Sequence, residues 1–297
     1  MTCPAISYAI VTMNRREELA GCLDSLRAQS FASAEIVVAD NGSADGSPEM
    51  VRARFPEARL FELGANLGVS MARNFCAEKA EGAILIYLDD DARLAEPGAA
   101  ARALGYFERD ERLGLLAFRI LNAFSGEEER KSIPRADKRR IVEDYPCANF
   151  CGAGFAVRRE AFLETGMFWP PFTYGSFEMD FSYRLLDRGW TMLRASSIDA
   201  LHRETPRARP KGQWVYFNAR DRLWAAARNL PWPQTVSMAL GWWGYAGAMA
   251  LRRGWIGPYL RGVRDGLAGL PAAIRSRQPI RKEALRKTRE LSGRYWL

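Results

Sequence analysis

Signatures of several common enzyme classes are missing from this sequence. No G-x-x-x-x-G-K-[ST] loop occurs, which excludes a P-loop nucleotide hydrolase, and no G-x-S-x-G turn occurs, which excludes the common α/β-hydrolases. Gly152 and Gly154 are not completed to G-x-G-x-x-G, because the sixth position is Val157. A dehydrogenase-type dinucleotide site therefore has no support.

Histidine and cysteine are also scarce. His202 is the single histidine, and the five cysteines lack the paired spacing of a zinc site, so we expect no zinc. No basic segment precedes an apolar stretch at the start of the sequence, so we expect no signal peptide. Unpaired cysteines without a leader favour the reducing cytoplasm.

Acidic residues are rare at one end of the chain. Residues 231–297 contain 12 Lys and Arg against 3 Asp and Glu, whereas the first 230 residues contain 31 against 32. The net charge of +8 therefore comes from the C-terminal region. A nucleic-acid binder would spread its basic charge over the folded surface, so we expect no nucleic-acid partner but a local contact with an anionic surface.

Short apolar runs alternate with amphipathic helical patterns in the first 90 residues. This alternation predicts an α/β fold, with a mostly parallel, Rossmann-like nucleotide-binding sheet and helices on both faces. The apolar runs predict strands at 6–11, 36–39, 58–63, 83–88, 113–120 and 149–157. Further patterns predict helices at 178–188 and 212–229, and a charge-dense loop at 127–140.

Thr12, Asp40 and Asp89 each follow a predicted strand directly. The carboxyl ends of parallel strands meet at one edge of the sheet, where ligands bind in such folds. We therefore expect these three side chains to share one edge.

Asp89, Asp90 and Asp91 form an acidic run at the end of the most apolar strand. Adjacent buried carboxylates repel one another unless a cation or hydrogen bonds compensate. Oxygen ligands suit Mg²⁺ or Mn²⁺, so the run predicts a divalent metal site. The alternative is an acidic turn that caps the next helix.

Other polar residues admit two interpretations. Asp40 begins an Asn-Gly turn and could serve only that turn, or its carboxylate could bind a nucleoside. Asn14, three residues before Glu17, could be merely the N-cap of a helix. His202 could likewise be a structural histidine or lie near the site.

Glu178 and Asp180 lie at the start of a predicted helix, where the helix dipole favours carboxylates. Asp180 and Arg184 are spaced i,i+4, so Asp180 could form a structural ion pair. Glu178 would then be free for proton transfer.

Together these segments resemble the inverting glycosyltransferases of family 2, which have the GT-A fold and include bacterial rhamnosyltransferases of the cell-envelope type. The resemblance runs from about Ser7 to Pro231. The segments that carry it, in order, are 10–15, 37–43, 66–68, 72–74, 88–91, 154–159, 178–190, His202 and 218–231. Each motif alone is weak, and their shared order makes chance a poor explanation.

The resemblance implies a role for each matching residue. Thr12, Asn14 and Asp40 would hold the base and ribose of a nucleotide-diphosphate sugar. The rest of the donor site would comprise Gly68, which permits close backbone approach, together with Arg73, Asp89 and Asp90. Asp89 and Asp91 form the family's D-x-D motif, with Asp91 the direct metal ligand, and His202 would lie near the metal and diphosphate.

The resemblance also implies the chemistry. The family's catalytic Asp aligns with Glu178, and Asp180 is the second catalytic candidate of the motif. The carboxylate would accept a proton from an acceptor hydroxyl, and the sugar would be transferred with inversion to a glycan, polysaccharide or lipid-linked acceptor. A sugar nucleotidyltransferase and a catalytically inactive sugar-nucleotide-binding membrane subunit are the alternatives.

We divide the chain at Pro231 into a GT-A domain, 1–230, and a basic amphipathic helical region, 231–297. The apolar stretch 236–251 contains Trp242, Trp243 and Tyr245 but is shorter than the ~20 residues of a spanning helix. We expect it to insert shallowly at an anionic membrane surface, with a span or packing on the core as alternatives. The protein would then be cytoplasmic and peripheral on the inner face of the cytoplasmic membrane.

Overall fold

A computed structural model describes residues 4–31, 33–203 and 211–293. Its centre is one nine-stranded sheet with the order β3-β2-β1-β4-β8-β6-β9-β5, and β7 pairs with β9. The strands are β1 (Ile6–Thr12), β2 (Ala34–Asp40), β3 (Arg59–Glu62), β4 (Ile84–Asp89), β5 (Ala92–Leu94), β6 (Leu113–Asn122), β7 (Tyr145–Pro146), β8 (Gly154–Arg158) and β9 (Thr191–His202).

Helices cover both faces of this sheet, as the alternating pattern predicts. They are α1 (Arg16–Arg27), α2 (Ser47–Arg54), α3 (Val69–Lys79), α4 (Ala99–Arg109), α5 (Arg159–Glu164), α6 (Phe177–Asp187), α7 (Gln213–Asn229), α8 (Trp232–Arg253), α9 (Ile256–Arg275) and α10 (Lys282–Ser292). Alternate residues of the central strands enter two separate apolar layers. Ala9 and Val37 pack with α3 and α6, whereas Ile10 and Val38 pack with α1 and α4.

The sheet has a parallel half and a mixed half. Strands β3, β2, β1 and β4 are parallel, whereas β8 lies antiparallel between β4 and β6. In the parallel half, Thr12 pairs with Asp40 and Val11 pairs with Asp89. The prediction that Thr12, Asp40 and Asp89 share one edge is therefore confirmed.

The strand predicted at 149–157 is shorter than expected. β8 begins only at Gly154, where an added Cβ would lie 2.9 Å from the Cβ of Ala200 on β9. This close approach requires glycine at the first position of the strand. Residues 149–153 instead form an irregular segment that lines the cavity described below.

The C-terminal helices pack against the rest of the protein. Met238 of α8, Ala273 of α9 and Ala284 of α10 belong to the same apolar layer as α6 and α7. A hydrogen bond connects the region too, because the indole N–H of Trp224 on α7 donates to the backbone carbonyl of Gly266 on α9 at 2.8 Å. Packing on the core, one of the alternatives considered above, thus describes the buried side of this region.

The other side of α8 is exposed and apolar. Residues 232–251 contain no charged side chain, and Arg252 and Arg253 follow them. The large apolar side chains that α8 exposes are Trp232, Val236, Leu240, Tyr245 and Leu251. None of the helices in the described ranges is long and apolar enough to cross a membrane.

Candidate active site

Two strand ends bring three potential metal ligands together. Asp89 ends β4, Asp91 lies in the following turn, and His202 ends β9. The antiparallel pairing of β5 with β9 places Ala92 opposite His202, so the histidine faces the acidic turn. One ligand atom from each of Asp89, Asp91 and His202 lies within 4.8 Å of the other two.

Arginines and a threonine surround the acidic turn. Arg15 pairs with Asp91 and with Asp90 at 3.2 Å, and the hydroxyl of Thr12 donates to Asp90 at 2.9 Å. Buried Arg73 donates to Asp89 at 2.6 Å. The motif containing Arg15 was noted in the sequence, but its role was missed because its partners lie 75 or more positions away.

The titratable groups of the acidic turn have pKa values that are shifted in different directions. Burial raises the pKa of Asp90 to about 7 and also raises the pKa of Asp89. Burial would raise the pKa of Asp91 as well, but the neighbouring His202 and Arg15 lower it. Burial would lower the pKa of His202, yet Asp91 and Glu129 raise it to about 10. The site therefore concentrates carboxylates that need positive partners.

These residues suit a divalent cation. Mn²⁺ accepts carboxylate oxygens together with an imidazole nitrogen, whereas Mg²⁺ prefers the carboxylate oxygens alone. The Nε2 atom of His202 is buried and lies 3.4 Å from Asp91 Oδ1, without a hydrogen bond to any described residue. Such an unsatisfied ring nitrogen beside two carboxylates fits a metal ligand.

Glu178 lies on a cavity of about 450 Å³ that also contains the acidic turn. Further lining residues include Arg15, Arg73, Lys131, Gly152, His202, Trp214, Phe217, Asn218 and Arg222. Burial raises the pKa of the Glu178 carboxyl. A Cβ at Gly152 would approach Glu178 Oε1 to 3.0 Å and Arg73 Nη1 to 3.1 Å, so glycine leaves room for both groups.

Asp180, the second catalytic candidate, lies outside this cavity. Its side chain is 0% exposed and is not among the cavity-lining residues. One oxygen accepts hydrogen bonds from Arg184, and the other accepts from Arg228 and Asn229. The i,i+4 ion pair predicted from the sequence is confirmed, and these bonds leave the carboxylate no access to a substrate.

The buried ion pairs predict that Asp180→Asn lowers stability. Arg184 and Arg228 would lose a buried partner, which typically costs about 3–5 kcal/mol in the free energy of unfolding. Burial would raise the pKa of Asp180, but Arg184 and Arg228 lower it below the ordinary value near 4. Its stabilisation is therefore complete above about pH 4 and is lost as pH falls through the folded-state pKa.

Urea denaturation at neutral and acidic pH measures this effect. Glu164→Gln is the control, because Glu164 forms an exposed ion pair with Arg188 at 3.8 Å and should contribute below about 1 kcal/mol. Equal stability of Asp180→Asn and Glu164→Gln would contradict the structural role.

Asn14 joins the loops after β1 and β2, whereas Asp40 holds its own turn. Asp40 Oδ2 accepts hydrogen bonds from the amides of Gly42 and Ser43, whereas no described residue donates to its buried Oδ1. Asn14 is not the N-cap of α1, because Arg15 holds that position. The side chain of Asn14 instead accepts a hydrogen bond from the amide of Ala44 at 2.7 Å. One carboxylate oxygen of Asp40 thus stabilises its own turn, and the other can accept a hydrogen bond from a further donor.

Gly68 precedes α3 with φ of 81°, which favours glycine. An added Cβ would lie 3.0–3.1 Å from atoms of Thr173. The close approach that we expected at Gly68 is therefore made, in the described structure, to Thr173.

Comparison with known proteins gives a consistent picture. Residues 7–166 match the family described as Glycosyl transferase family 2. N-acetylglucosaminyl-diphospho-decaprenol L-rhamnosyltransferase of Mycobacterium tuberculosis is 26% identical over 274 residues, covering 77% of this chain and 89% of that protein. An uncharacterized protein of Haemophilus influenzae is 35% identical over 108 residues, covering 36% of this chain. The matched part spans only 58% of that Haemophilus protein.

Solved structures resemble the fold over most of the chain. S. aureus TarS in complex with UDP-GlcNAc has a TM-score of 0.63 at 15% identity, covering 91% of this chain and 82% of that one. A mannosyltransferase from Pyrobaculum calidifontis in complex with GDP-Man and Mn²⁺ has a TM-score of 0.60 at 18% identity. It covers 92% of this chain and 86% of that one. At these identities the likeness concerns the fold.

Proposed function

This chain belongs to glycosyl transferase family 2 and has the GT-A fold, and we propose that it transfers a sugar, with inversion, from a nucleotide-diphosphate donor to an acceptor hydroxyl. The observation that carries this proposal is the convergence of a candidate metal-binding cluster and a partly buried carboxylate on one cavity. Asp89, Asp91 and His202 supply the cluster, and Glu178 supplies the carboxylate.

The donor would extend along the sheet edge. Asp40 and Asn14 lie in the loops after β2 and β1, and the unsatisfied Oδ1 of Asp40 suits an N–H or O–H of a nucleoside. From there the diphosphate would reach Asp89 and Asp91. Two proteins of similar fold, solved in complex with GDP-Man or with UDP-GlcNAc, support a donor of this class.

Asp89, Asp91 and His202 would hold a divalent cation, either Mg²⁺ or Mn²⁺. When bound, such a cation neutralises negative charge that develops on the leaving diphosphate. Arg15 and Arg73, which pair with these carboxylates, add fixed positive charge next to the same group. Thr12 holds Asp90 in place through its hydroxyl.

Glu178 would act as the general base. Burial raises its pKa toward neutral pH, and a general base is most effective when its pKa lies near the working pH. As the acceptor oxygen bonds to the anomeric carbon, its proton passes to Glu178 and the bond to the diphosphate oxygen breaks. Attack occurs opposite the leaving group, so one displacement inverts the anomeric configuration.

The acceptor would be a glycan or a lipid-linked saccharide. The name of the M. tuberculosis relative includes a diphospho-decaprenol acceptor, which supports the lipid-linked class. Trp214, which lines the cavity, packs its ring on Tyr245 of the exposed α8 face at 5.9 Å. The apolar face thus begins at the cavity rim, and we propose that it contacts an anionic membrane surface on the cytoplasmic side.

The membrane proposal predicts that Leu240→Glu weakens binding to vesicles that contain phosphatidylglycerol by roughly tenfold or more, because burying a leucine side chain stabilises by ~1.5–3 kcal/mol. Leu240 is 63% exposed on α8. Val142→Glu is the matched control, since Val142 is 80% exposed outside the C-terminal helices. Sedimentation with vesicles measures both, and equal binding of Leu240→Glu and the unmodified protein would contradict the proposal.

Donor turnover tests the activity itself. The purified protein is incubated with UDP-, GDP- and dTDP-sugars plus Mn²⁺, and release of the nucleoside diphosphate is measured. A glycosyltransferase should slowly hydrolyse its donor even without acceptor. Donor binding without any release would favour the catalytically inactive subunit, and formation of a nucleotide sugar from a nucleoside triphosphate and a sugar phosphate would favour the nucleotidyltransferase.

A further inference from the structure

A tight turn after β6 brings an acidic residue to the metal-binding cluster. The amide of Asn122 donates to the carbonyl of Glu127 at 2.8 Å, and the amide of Glu129 donates to the carbonyl of Ile120 at 2.9 Å. Residues 127–129 therefore fold back along β6, which is itself paired with β9 up to His202. The register of this turn places Glu129 beside His202.

Glu129 and His202 make a buried contact. The Oε1 atom of Glu129 lies 2.9 Å from His202 Nδ1, and the two residues are 9% and 3% exposed. The second ring nitrogen, Nε2, lies 3.4 Å from Asp91 Oδ1. The imidazole is thus held between a carboxylate outside the cluster and a carboxylate within it.

We infer that Glu129 is a positioning residue that orients His202 for metal binding. By accepting the Nδ1–H bond, Glu129 fixes the ring orientation and the tautomer, and the Nε2 lone pair then points toward Asp91 and the bound cation. Carboxylates that accept from a ligating histidine raise its basicity and its affinity for the metal. This role rests on the proposed function, because it requires a cation at Asp89, Asp91 and His202.

The neighbouring acids help to separate this role from simple loop support. Glu128 forms a buried ion pair with Arg194, which ties the turn to β9. Glu127 lies on the surface and pairs with Arg140 at 3.3 Å. The turn is therefore anchored independently of Glu129, and Glu127→Gln removes one acidic charge from the same segment without touching His202.

Direct Mn²⁺ binding, measured by the electron paramagnetic resonance of free Mn²⁺, tests the inference without sugar transfer. Glu129→Ala should weaken Mn²⁺ binding by about 10–100-fold, as loss of such a partner typically does. Glu129→Gln should lose less, because its amide oxygen still accepts the Nδ1–H bond. Glu127→Gln should bind as the unmodified protein does.

A double-mutant cycle then asks whether Glu129 acts through the histidine. Adding Glu129→Ala to His202→Ala should cause no further loss of Mn²⁺ affinity. Equal losses from Glu129→Ala in both backgrounds, or unchanged affinity of the single variant, would overturn the inference. If the unmodified protein binds no Mn²⁺, the metal assistance in the proposed function and this role both fall. If the unmodified protein and Glu129→Ala bind Mn²⁺ equally, only the role of Glu129 falls.

Discussion

Glu178→Gln should lower kcat by about 10²–10⁴-fold, the contribution that a general base typically makes. Glutamine keeps the shape of the side chain at the cavity but cannot accept the proton of the acceptor hydroxyl. Donor affinity should hardly change, because the lost interaction exists only in the transition state. Transfer rates at saturating donor and acceptor, together with donor binding by calorimetry, measure the two effects separately.

A matched control is available on another helix. Glu160 occupies the second position of α5, as Glu178 does in α6, but it is exposed and lies outside the cavity lining. Glu160→Gln therefore removes a carboxylate from a helix N-terminus without touching the site, and kcat should stay within about twofold of the unmodified value. A near-normal Glu178→Gln enzyme would exclude Glu178 as the base.

Asp91→Asn should lower transfer by about 10²–10³-fold, the effect of losing one strong electrostatic contact to the transition state. EDTA should abolish transfer by the unmodified protein, and Mg²⁺ or Mn²⁺ should restore it. The variant should stay folded, because Arg15 keeps its pairing with Asp90. Full turnover in EDTA would contradict metal assistance.

Thermal unfolding gives a second measure of the same prediction. A ligand that binds only the native state stabilises it by about 2.7 kcal/mol at 100 times its Kd. Mn²⁺ should therefore raise the melting temperature of the unmodified protein but not that of Asp91→Asn. Asp24→Asn is the control, because Asp24 is exposed and pairs with Arg54 on the surface, and Mn²⁺ should stabilise this variant normally.

The parallel half of the fold could be predicted because its signal is local. Strands β1, β2 and β4 each contain an apolar run, and they end at the polar residues that the sequence analysis singled out, Thr12, Asp40 and Asp89. The mixed half gave weaker signals, because Arg194 and Asp199 interrupt the apolar residues of β9. Helix α4 was missed, although Ala99–Arg109 is rich in helix-forming alanine.

Around the metal-binding cluster, residues close in the chain could be grouped from the sequence, whereas residues far apart in the chain could not. Asp89 and Asp91 are neighbours in the chain and were recognised as a group. Glu129, by contrast, lies within a charge-dense loop and 73 positions from His202, so no local pattern marks it as buried. Only the pairing of β6 with β9 brings these two residues together.

The C-terminal region illustrates a related limit. Composition identified an apolar stretch beside basic residues, but composition does not say which side of a helix faces the core. In α8, Met238 is buried while Leu240, two positions later, is exposed. The division at Pro231 remains a proposal. A hydrogen bond from Arg277 to the carbonyl of Leu230 crosses it, and the adjacent Arg228 and Asn229 donate to Asp180.

The anomeric configuration of the first sugar product tests the central claim most directly. The donor identified in the turnover panel, with an α-linked sugar, is hydrolysed or transferred in an NMR tube, and the coupling constant of the anomeric proton is followed from the earliest spectra. An inverting displacement assisted by Glu178 predicts that the β-anomer appears first, before free sugar mutarotates. Initial release of the α-anomer would show retention and would contradict a single displacement with Glu178 as the base.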